Sequence, residues 1–501
     1  MNLNEFIYNP LEFISNLASV SDVKPDFGIG NALQNAIDSD DDFLQKIPLV
    51  STFEQLQMYC PGTLVRLRCS FISIIEEEYL SLRNFYNGKW YTPWAPTSNY
   101  PFIGEINPRE MVCRQKMLVS SLPAMTRWLI NEQTESDSIN NNEHLTIDSN
   151  QIINNNDLID EPFQAVVSYC FDLPEVPFVP FDLIAIINET QPLVSTFNVT
   201  TADSFHSSLP SFVAFSYVPV KLLYSLKLQM SITLNDIKQK IYECFNNILD
   251  PLVSELLTLW LVEKNILNDQ GVPIGIFSLN LFNMNSEMTS NIAQFLSFLC
   301  TSLNIMKITI DSLNKKDLKP SISGGEYNHT ELSVVNETRM IIDETEMKDG
   351  KLNSIGINNL QLLQDLINFQ QIPFVFEVYP QNIHVSIPTL ILSGPSSLLK
   401  ADISIPINSF KSFTFNIDKE TLNILRFYIE SVRFNDFHIS NEEESFLKSQ
   451  MELLLKDDSR IDESKLHLLM TLFRLYSISI GDVIFNIDNW NKVVSLFQEI
   501  I

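Results

Sequence analysis

Apolar side chains at three- and four-residue spacing from Leu11-Glu12-Phe13-Ile14 onward predict a helical start to the chain. A period of two then takes over. After the turn pair Pro61-Gly62, the residues Val65, Leu67, Cys69 and Phe71 alternate with Arg66 and Arg68, the pattern of a half-buried strand. Further strand patterns fall at 79–82, 90–94, 114–118, 164–170 and 181–188. Between them, residues 131–161 hold eight Asp or Glu and no Lys or Arg, with the runs Asn140–Asn142 and Asn154–Asn156. A polar stretch of one sign buries too little surface to offset its ordering entropy, so it reads as a disordered acidic insertion.

Short strands set among long loops suit an OB-like β-barrel, here spanning 46–205 and interrupted by the insertion. From about Leu222 the period becomes helical, through 237–249 and 252–267. Strands and helices then alternate: strand 274–281, helix 290–303, strands 306–310 and 340–342, helix 360–369, strand 388–392. That order predicts an α/β layer over 206–420 with a largely parallel sheet. The tail at 422–432, 442–455, 463–477 and 489–501 carries helical spacing throughout and reads as a small helical lid over 421–501. The fold class is therefore α+β and multidomain, with a short helical N-terminus at 1–45.

Composition narrows what such a chain does. It has 33 Lys+Arg against 61 Asp+Glu, a formal charge of −28. Phosphate binding needs clustered cations, so nucleic acid and an anionic membrane surface are poor partners for it. The acidic run Asp38–Asp42 reads as a solvated loop, with a docking tail as the alternative. The start lacks the basic and apolar regions of a signal peptide, and no apolar stretch is long enough to span a bilayer. Six scattered cysteines without a CxxC pair read as reduced, mostly buried thiols of a soluble intracellular protein.

Candidate chemistry is sparse. The strand pattern Met340-Ile341-Ile342 ends in Asp343-Glu344, the placement by which a nucleotide site sets one carboxylate on Mg²⁺ and another beside water. Such a site also needs the phosphate cradle G-x-x-x-x-G-K-[ST]. At the matching junction the chain reads Ser278-Leu279-Asn280-Leu281-Phe282-Asn283-Met284-Asn285-Ser286-Glu287, without glycine or lysine and with an acid where phosphate would sit. The histidines at 144, 206, 329, 384, 438 and 467 form no triad or metal spacing. Ser393-Gly394-Pro395-Ser396-Ser397 reads as a turn. Trp90, Trp94 and Trp128 offer stacking surfaces for a single strand, or else barrel core or a protein interface. No catalytic, cofactor or metal constellation emerges.

The order of parts resembles a subunit of the minichromosome maintenance (MCM) helicase without its ATPase hardware. Leu425-Arg426-Phe427-Tyr428-Ile429-Glu430-Ser431-Val432-Arg433 is similar to the opening of the MCM lid, and Leu472-Phe473-Arg474-Leu475 to a lid helix. The zinc-binding cysteines of MCM barrels are missing. A closer resemblance is to the MCM complex-binding protein family, a distant ATPase-dead relative of those subunits. It is carried by Ile341-Ile342-Asp343-Glu344-Thr345, Gly350-Lys351-Leu352, Gly356-Ile357-Asn358-Asn359, Leu366-Ile367-Asn368-Phe369-Gln370, Ser393-Gly394 and Ser396-Ser397-Leu398-Leu399-Lys400-Ala401-Asp402. Weaker pieces are Asn9-Pro10-Leu11, Ile47-Pro48-Leu49, Val65–Cys69, Pro273–Leu281 and Leu466-His467 through Arg474.

The resemblance implies a degenerate AAA+-like core in which Asp343 and Glu344 are a disused Walker-B-like pair. It also implies that His467 stands where active subunits carry a sensor arginine. It implies no enzyme activity, no cofactor and no metal. The implied role is binding of MCM subunits, shielding of unloaded ones, removal of the helicase from chromatin and support of sister-chromatid cohesion. Chromatin association would be indirect, and location nuclear with a cytoplasmic pool. The readings from other classes are a divergent AAA-type NTPase and a single-strand DNA-binding OB protein.

Overall fold

The alternation at 64–71 belongs to a longer element than its own length suggests. In the computed structural model it runs on through 79–81 as one strand, Leu64–Ser81, with irregularities at Phe71/Ser73 and Ile74/Glu76 that let it bend. The structure describes residues 2–20, 26–40, 43–86, 89–94, 110–126, 128–129, 144–148, 162–173, 175–190, 209–220, 232–267, 273–377, 379–408, 410 and 414–501.

The first sheet comprises β1 (Leu49–Val50), β2 (Leu64–Ser81), β3 (Met111–Ser121), β4 (Gln164–Tyr169), β5 (Pro180–Glu189) and β6 (Ser211–Pro219). Its order is β1-β2-β3-β4-β6-β5, and a further β5–β2 pairing closes β2 to β6 into a five-stranded barrel. Only β4–β6 in that ring is parallel. Val65, Leu67, Cys69, Met117, Val119, Leu183 and Phe212 fill the barrel. The opposite face is also covered, because α1 (Leu3–Tyr8), α2 (Pro10–Val20) and α3 (Ile29–Ser39) lay Phe6, Phe13, Ile14 and Leu33 on Leu64, Ile184, Ile186 and Phe215. The strand expected to be half-buried is thus buried on both faces at 64–72. Arg68 goes under with it, forking onto Asp182 through Nε–Oδ1 at 2.8 Å and Nη2–Oδ2 at 2.9 Å.

The second sheet is parallel throughout. It holds β7 (Leu279–Phe282), β8 (Leu303–Lys307), β9 (Arg339–Glu344), β10 (Thr389–Ser393) and β11 (Ile403–Pro406), in the order β8-β9-β10-β7-β11. Alternate side chains divide between two cores. Ile341, Leu390 and Leu392 face α6 (Pro251–Leu261), α7 (Ser286–Leu299) and the tail. Met340, Ile342 and Ile391 face α9 (Ser354–Phe369), the sheet formed by Ser321–Ser323, Glu326–Asn328, Gln371–Phe376 and Tyr379–His384, and the barrel residues Ile72, Leu118 and Phe178. Ahead of β2 lies the short α4 (Phe53–Gln57), and between the later elements lie α5 (Leu234–Asn246) and α8 (Ile310–Lys315).

The tail helices are α10 (Lys419–Val432), α11 (Asn441–Asp457), α12 (Glu463–Ile480) and α13 (Ile487–Ile500), close to the expected spans. They share one core with α6, in which Leu256, Leu257 and Trp260 meet Leu425, Leu469, Leu472 and Trp490. The tail is therefore packed into the α/β layer instead of resting over it as a lid.

Three other expectations change. The 252–267 helix stops at Leu261, and Ile266–Leu267 turns into a short strand on Pro273–Ile274. Strand 274–281 shrinks to Leu279–Phe282. Within the acidic insertion, His144–Asp148 forms a strand antiparallel to Thr414–Asp418, so these five residues are ordered by pairing; the rest of 131–161 lies outside the described residues. Among the cysteines, Cys69 and Cys300 are buried, Cys170 and Cys244 are partly buried, and Cys60 and Cys113 are exposed. Among the described residues no helix is long and apolar enough to cross a membrane.

Candidate functional site

The carboxyl edge of the parallel sheet is where an α/β layer ordinarily binds its ligand. Here the chain uses that edge to hold itself together. Between β7 and α7 there are three residues, too few for a phosphate cradle. Asn283 takes φ +64°, and the amides of Asn283 and Met284 donate to the carbonyls of Gly394 and Ser393, both at 2.9 Å. The Asn285 side chain accepts from the Met288 amide at 2.9 Å and so caps α7. Glu287 follows in the first turn, where a phosphate would meet repulsion.

Asp343 and Glu344 close β9, both buried. Asp343 Oδ1 accepts from the Thr345 amide at 2.9 Å and its hydroxyl at 2.6 Å. Glu344 Oε2 accepts from the Leu398 amide at 3.1 Å, while Oε1 is sealed without a partner. Burial raises the Glu344 carboxyl above its ordinary range, against the pull of the Ser397 hydroxyl and the Leu398 and Leu399 amides. The pair ties a strand end to the 396–400 loop.

The Gly350–Asn359 segment is also spent on structure. Asn353 caps α9 by accepting from the Gly356 amide at 2.9 Å. Asn359 holds the end of α8 through Leu313 O, Lys316 O and the Leu318 amide, at 2.8, 2.7 and 3.0 Å. A Cβ at Gly356 would stand 2.3 Å from Asn314 Oδ1, so only glycine lets α9 approach α8 this closely. Ile355 and Ile357 of the same segment remain exposed.

The amino edge of the sheet is charged in a different way. Arg339, fully buried at the start of β9, donates to Leu261 O and lies 3.5 Å from Glu430. Glu430 also bonds Arg433 and accepts from the Thr301 hydroxyl at 2.9 Å, and Arg433 pairs with Glu337 at 3.2 Å. Nearby, Glu263 is buried with Oε1 on the Phe277 amide at 3.2 Å and Oε2 unpartnered; burial pushes its carboxyl well above the usual range. His467 is exposed and lines a small cleft with Ser278, Thr389 and Asp402. It thus lies a full strand length from Asp343 and Glu344, and the structure does not bring the three together. Arg474, two turns further along α12, abuts Gly275.

The tryptophans are structural. Trp94 is buried under the N-terminal helices, and Trp90 stacks near Arg83. Trp128 donates to Ser297 O at 3.0 Å and Cys300 O at 3.1 Å beneath the Arg426 guanidinium, joining the barrel half to the α/β half. Arg66 and Arg68 are committed to Asp182. Sequence reasoning missed Arg339, Glu430, Arg433, Glu263 and Lys264. The available signal was a charge beside an apolar strand or helix, as in Arg339-Met340 and Val262-Glu263, where only a buried partner allows it. Among the described residues no group of three or more His, Cys, Asp or Glu could hold a metal ion.

The family model described as Mini-chromosome maintenance replisome factor matches residues 206–499, the α/β layer with its tail. Curated relatives include proteins named Mini-chromosome maintenance complex-binding protein. That of Arabidopsis thaliana is 27% identical over 255 residues, covering 49% of this chain and 43% of the relative. That of Dictyostelium discoideum is 28% identical over 286 residues, covering 50% and 39%. That of Drosophila melanogaster is 28% identical over 263 residues, covering 48% and 42%. The chain spans less than half the length of each of these three relatives. It is a member of the mini-chromosome maintenance replisome factor family.

Proposed function

We propose that this chain is a non-enzymatic binder of the MCM complex, which chaperones MCM subunits and promotes removal of the helicase from chromatin, supporting sister-chromatid cohesion. The observation that carries the non-enzymatic part is the three-residue β7–α7 connection, with its amides and helix cap already satisfied by the protein. The partner rests on the relatives' names, which describe binding to the mini-chromosome maintenance complex.

The sheet order supports a degenerate AAA+-like layer. The strand ending in Asp-Glu is separated by one strand from the strand that would lead into a phosphate loop, with Ser393 closing the strand between. The closed five-stranded barrel with one parallel pairing supports the OB-like reading of the first half. A chain of this architecture without a nucleotide site would occupy a subunit's place and cap a ring. The charge of −28 suits it to basic subunit surfaces off DNA, in the nucleus with a cytoplasmic pool.

Capture of the full chain from cells, with bound MCM subunits identified, tests the partner; recovery of none overturns it. Repeating the capture with 131–161 deleted asks whether the acidic segment contributes. The NTPase alternative is tested by titration with Mg-ATP, for which no binding is expected. Tight binding lost in Asp343→Ala would sink the non-enzymatic reading. A single-strand-binding OB protein predicts DNA affinity falling steeply with salt.

A further inference from the structure

This chain carries 61 acidic side chains against 33 basic ones, so an unpaired cation has ample opportunity to find a carboxylate. At the amino edge of the parallel sheet, two adjacent cations have no carboxylate partner among the described residues. Arg474 is partly buried in α12, and its Nη1 is sealed from solvent without a hydrogen-bond partner. Among the described residues the guanidinium makes no ion pair or hydrogen bond, and its one favourable charge neighbour is Asp436. Lys264, partly exposed, has no carboxylate within salt-bridge distance among the described residues; its Nζ lies 4.0 Å from the centre of the Phe434 ring. Gly275, at φ +82°, joins the two, since a Cβ there would lie 2.8 Å from Arg474 Nη1 and 3.0 Å from the Lys264 carbonyl.

Around this spot lie Arg433, Glu337, Glu430 and the exposed Asp436. Arg433 is bound to Glu337 and Glu430, and its guanidinium stands 5.1 Å from the centre of the Phe434 ring. Burial lowers Lys264 from its ordinary value; Glu337 and Asp436 oppose that, and Arg433 and Arg474 reinforce it. Phe434 is 55% exposed, and Ile439 and Ile484 are exposed on the neighbouring segments that meet at the His438–Ile484 bridge. An exposed aromatic ring beside two cations that have no carboxylate partner among the described residues is the chemistry that recognises an acid next to an apolar side chain. A half-buried guanidinium costs stability until such a partner arrives.

We infer that Arg474, Lys264 and Phe434 form a docking site for a peptide segment of a partner protein in which carboxylates alternate with apolar side chains. Arg474 and Lys264 take the carboxylates, and Phe434 with its apolar surroundings takes the hydrophobic anchor. The inference does not depend on the partner being an MCM subunit. It differs in sign from the acidic surfaces discussed above, which suit basic partners.

The test uses the full chain and four labelled peptides read by fluorescence anisotropy: four repeats of Asp-Leu-Gly, and the same with Asn for Asp, Lys for Asp, or Ser for Leu. The Asp-Leu-Gly peptide should bind at least about tenfold more tightly than each of the others. Arg474→Gln, Lys264→Gln and Phe434→Ser should each weaken it about tenfold, and Arg474→Lys should retain most of the affinity. Arg474→Met should leave the thermal midpoint unchanged or raised while weakening binding about tenfold, which a purely structural arginine would not do. Lys264→Gln, at a partly exposed side chain, carries the test if an Arg474 variant fails to fold. Equal binding of all four peptides, no binding of Asp-Leu-Gly at millimolar concentration, or unchanged affinity in the Lys264 and Phe434 variants would each overturn the inference.

Discussion

The two edges of the parallel sheet handle charge in opposite ways. At the carboxyl edge, Asp343 and Glu344 are neighbours in sequence and their hydrogen bonds go to Thr345 and Leu398. At the amino edge, Arg339, Glu430, Arg433, Glu337, Glu263, Lys264 and Arg474 come from four separate stretches, and some of them are left unmatched among the described residues. The edge that resembles an active site is closed by the protein's own hydrogen bonds with one carboxylate oxygen, Glu344 Oε1, left over, whereas the edge without a motif leaves whole side chains unpaired among the described residues. A run of catalytic-type residues is informative only when its atoms remain free to act.

Four substitutions would break or sharpen that contrast. Arg339→Met should have the largest effect, because it removes a fully buried cation and leaves Glu430 and Leu261 O short of a donor. Breaking such a pair costs about 3–5 kcal/mol, read by chemical denaturation. An effect below about 1 kcal/mol would mean that the amino edge is no better knit than its unpaired members suggest.

Glu344→Ala should cost less, about 1–2 kcal/mol, by orphaning the Leu398 amide. Hydrogen exchange should rise at 397–399 and stay unchanged at 283–285. Faster exchange in both segments would show that the two loops are one unit instead of two separately fastened ones.

Glu263→Gln probes pH. The native carboxyl is held well above its unfolded value of 4.5. Its contribution to stability is therefore complete below pH 4.5 and is lost as pH rises toward the folded value. The variant should match the native chain near pH 4 and grow relatively more stable from there toward neutrality, as followed by thermal melts. A gap that narrows with rising pH would reverse the assignment. His467→Ala should have the smallest effect, within about 0.5 kcal/mol, since the side chain is exposed at the mouth of its cleft. A larger loss would give this histidine a structural part in the amino edge.

How legible this was in the sequence depended on the range of the interaction. The four tail helices follow from local spacing and capping residues, and Ser440, Asp462 and Asn486 cap three of them as side-chain acceptors. The parallel alternation follows from the period change. The absence of a phosphate cradle is equally local, since it needs only the residues from Ser278 to Glu287. What failed was long-range. The strand 64–71 reads as half-buried until Asp182, more than a hundred residues away, supplies the partner that lets Arg68 go under. His144–Asp148 reads as unstructured until Thr414–Asp418 offers an edge. Arg474 was visible within Leu472-Phe473-Arg474-Leu475, but its lack of a partner could not be inferred without knowing which carboxylates surround it.

The burial of α6 has a consequence for the order in which this molecule can be made. Its residues Val253, Ser254 and Leu256–Leu261 are enclosed, and the partners that enclose them extend to Trp490, Val493 and Phe497 near the end of the chain. During synthesis the helix must emerge long before those partners exist. At roughly 5–20 residues per second, its apolar surface would await them for about ten seconds or more. A protein proposed to shield others before assembly would itself pass through a stage in which it needs shielding.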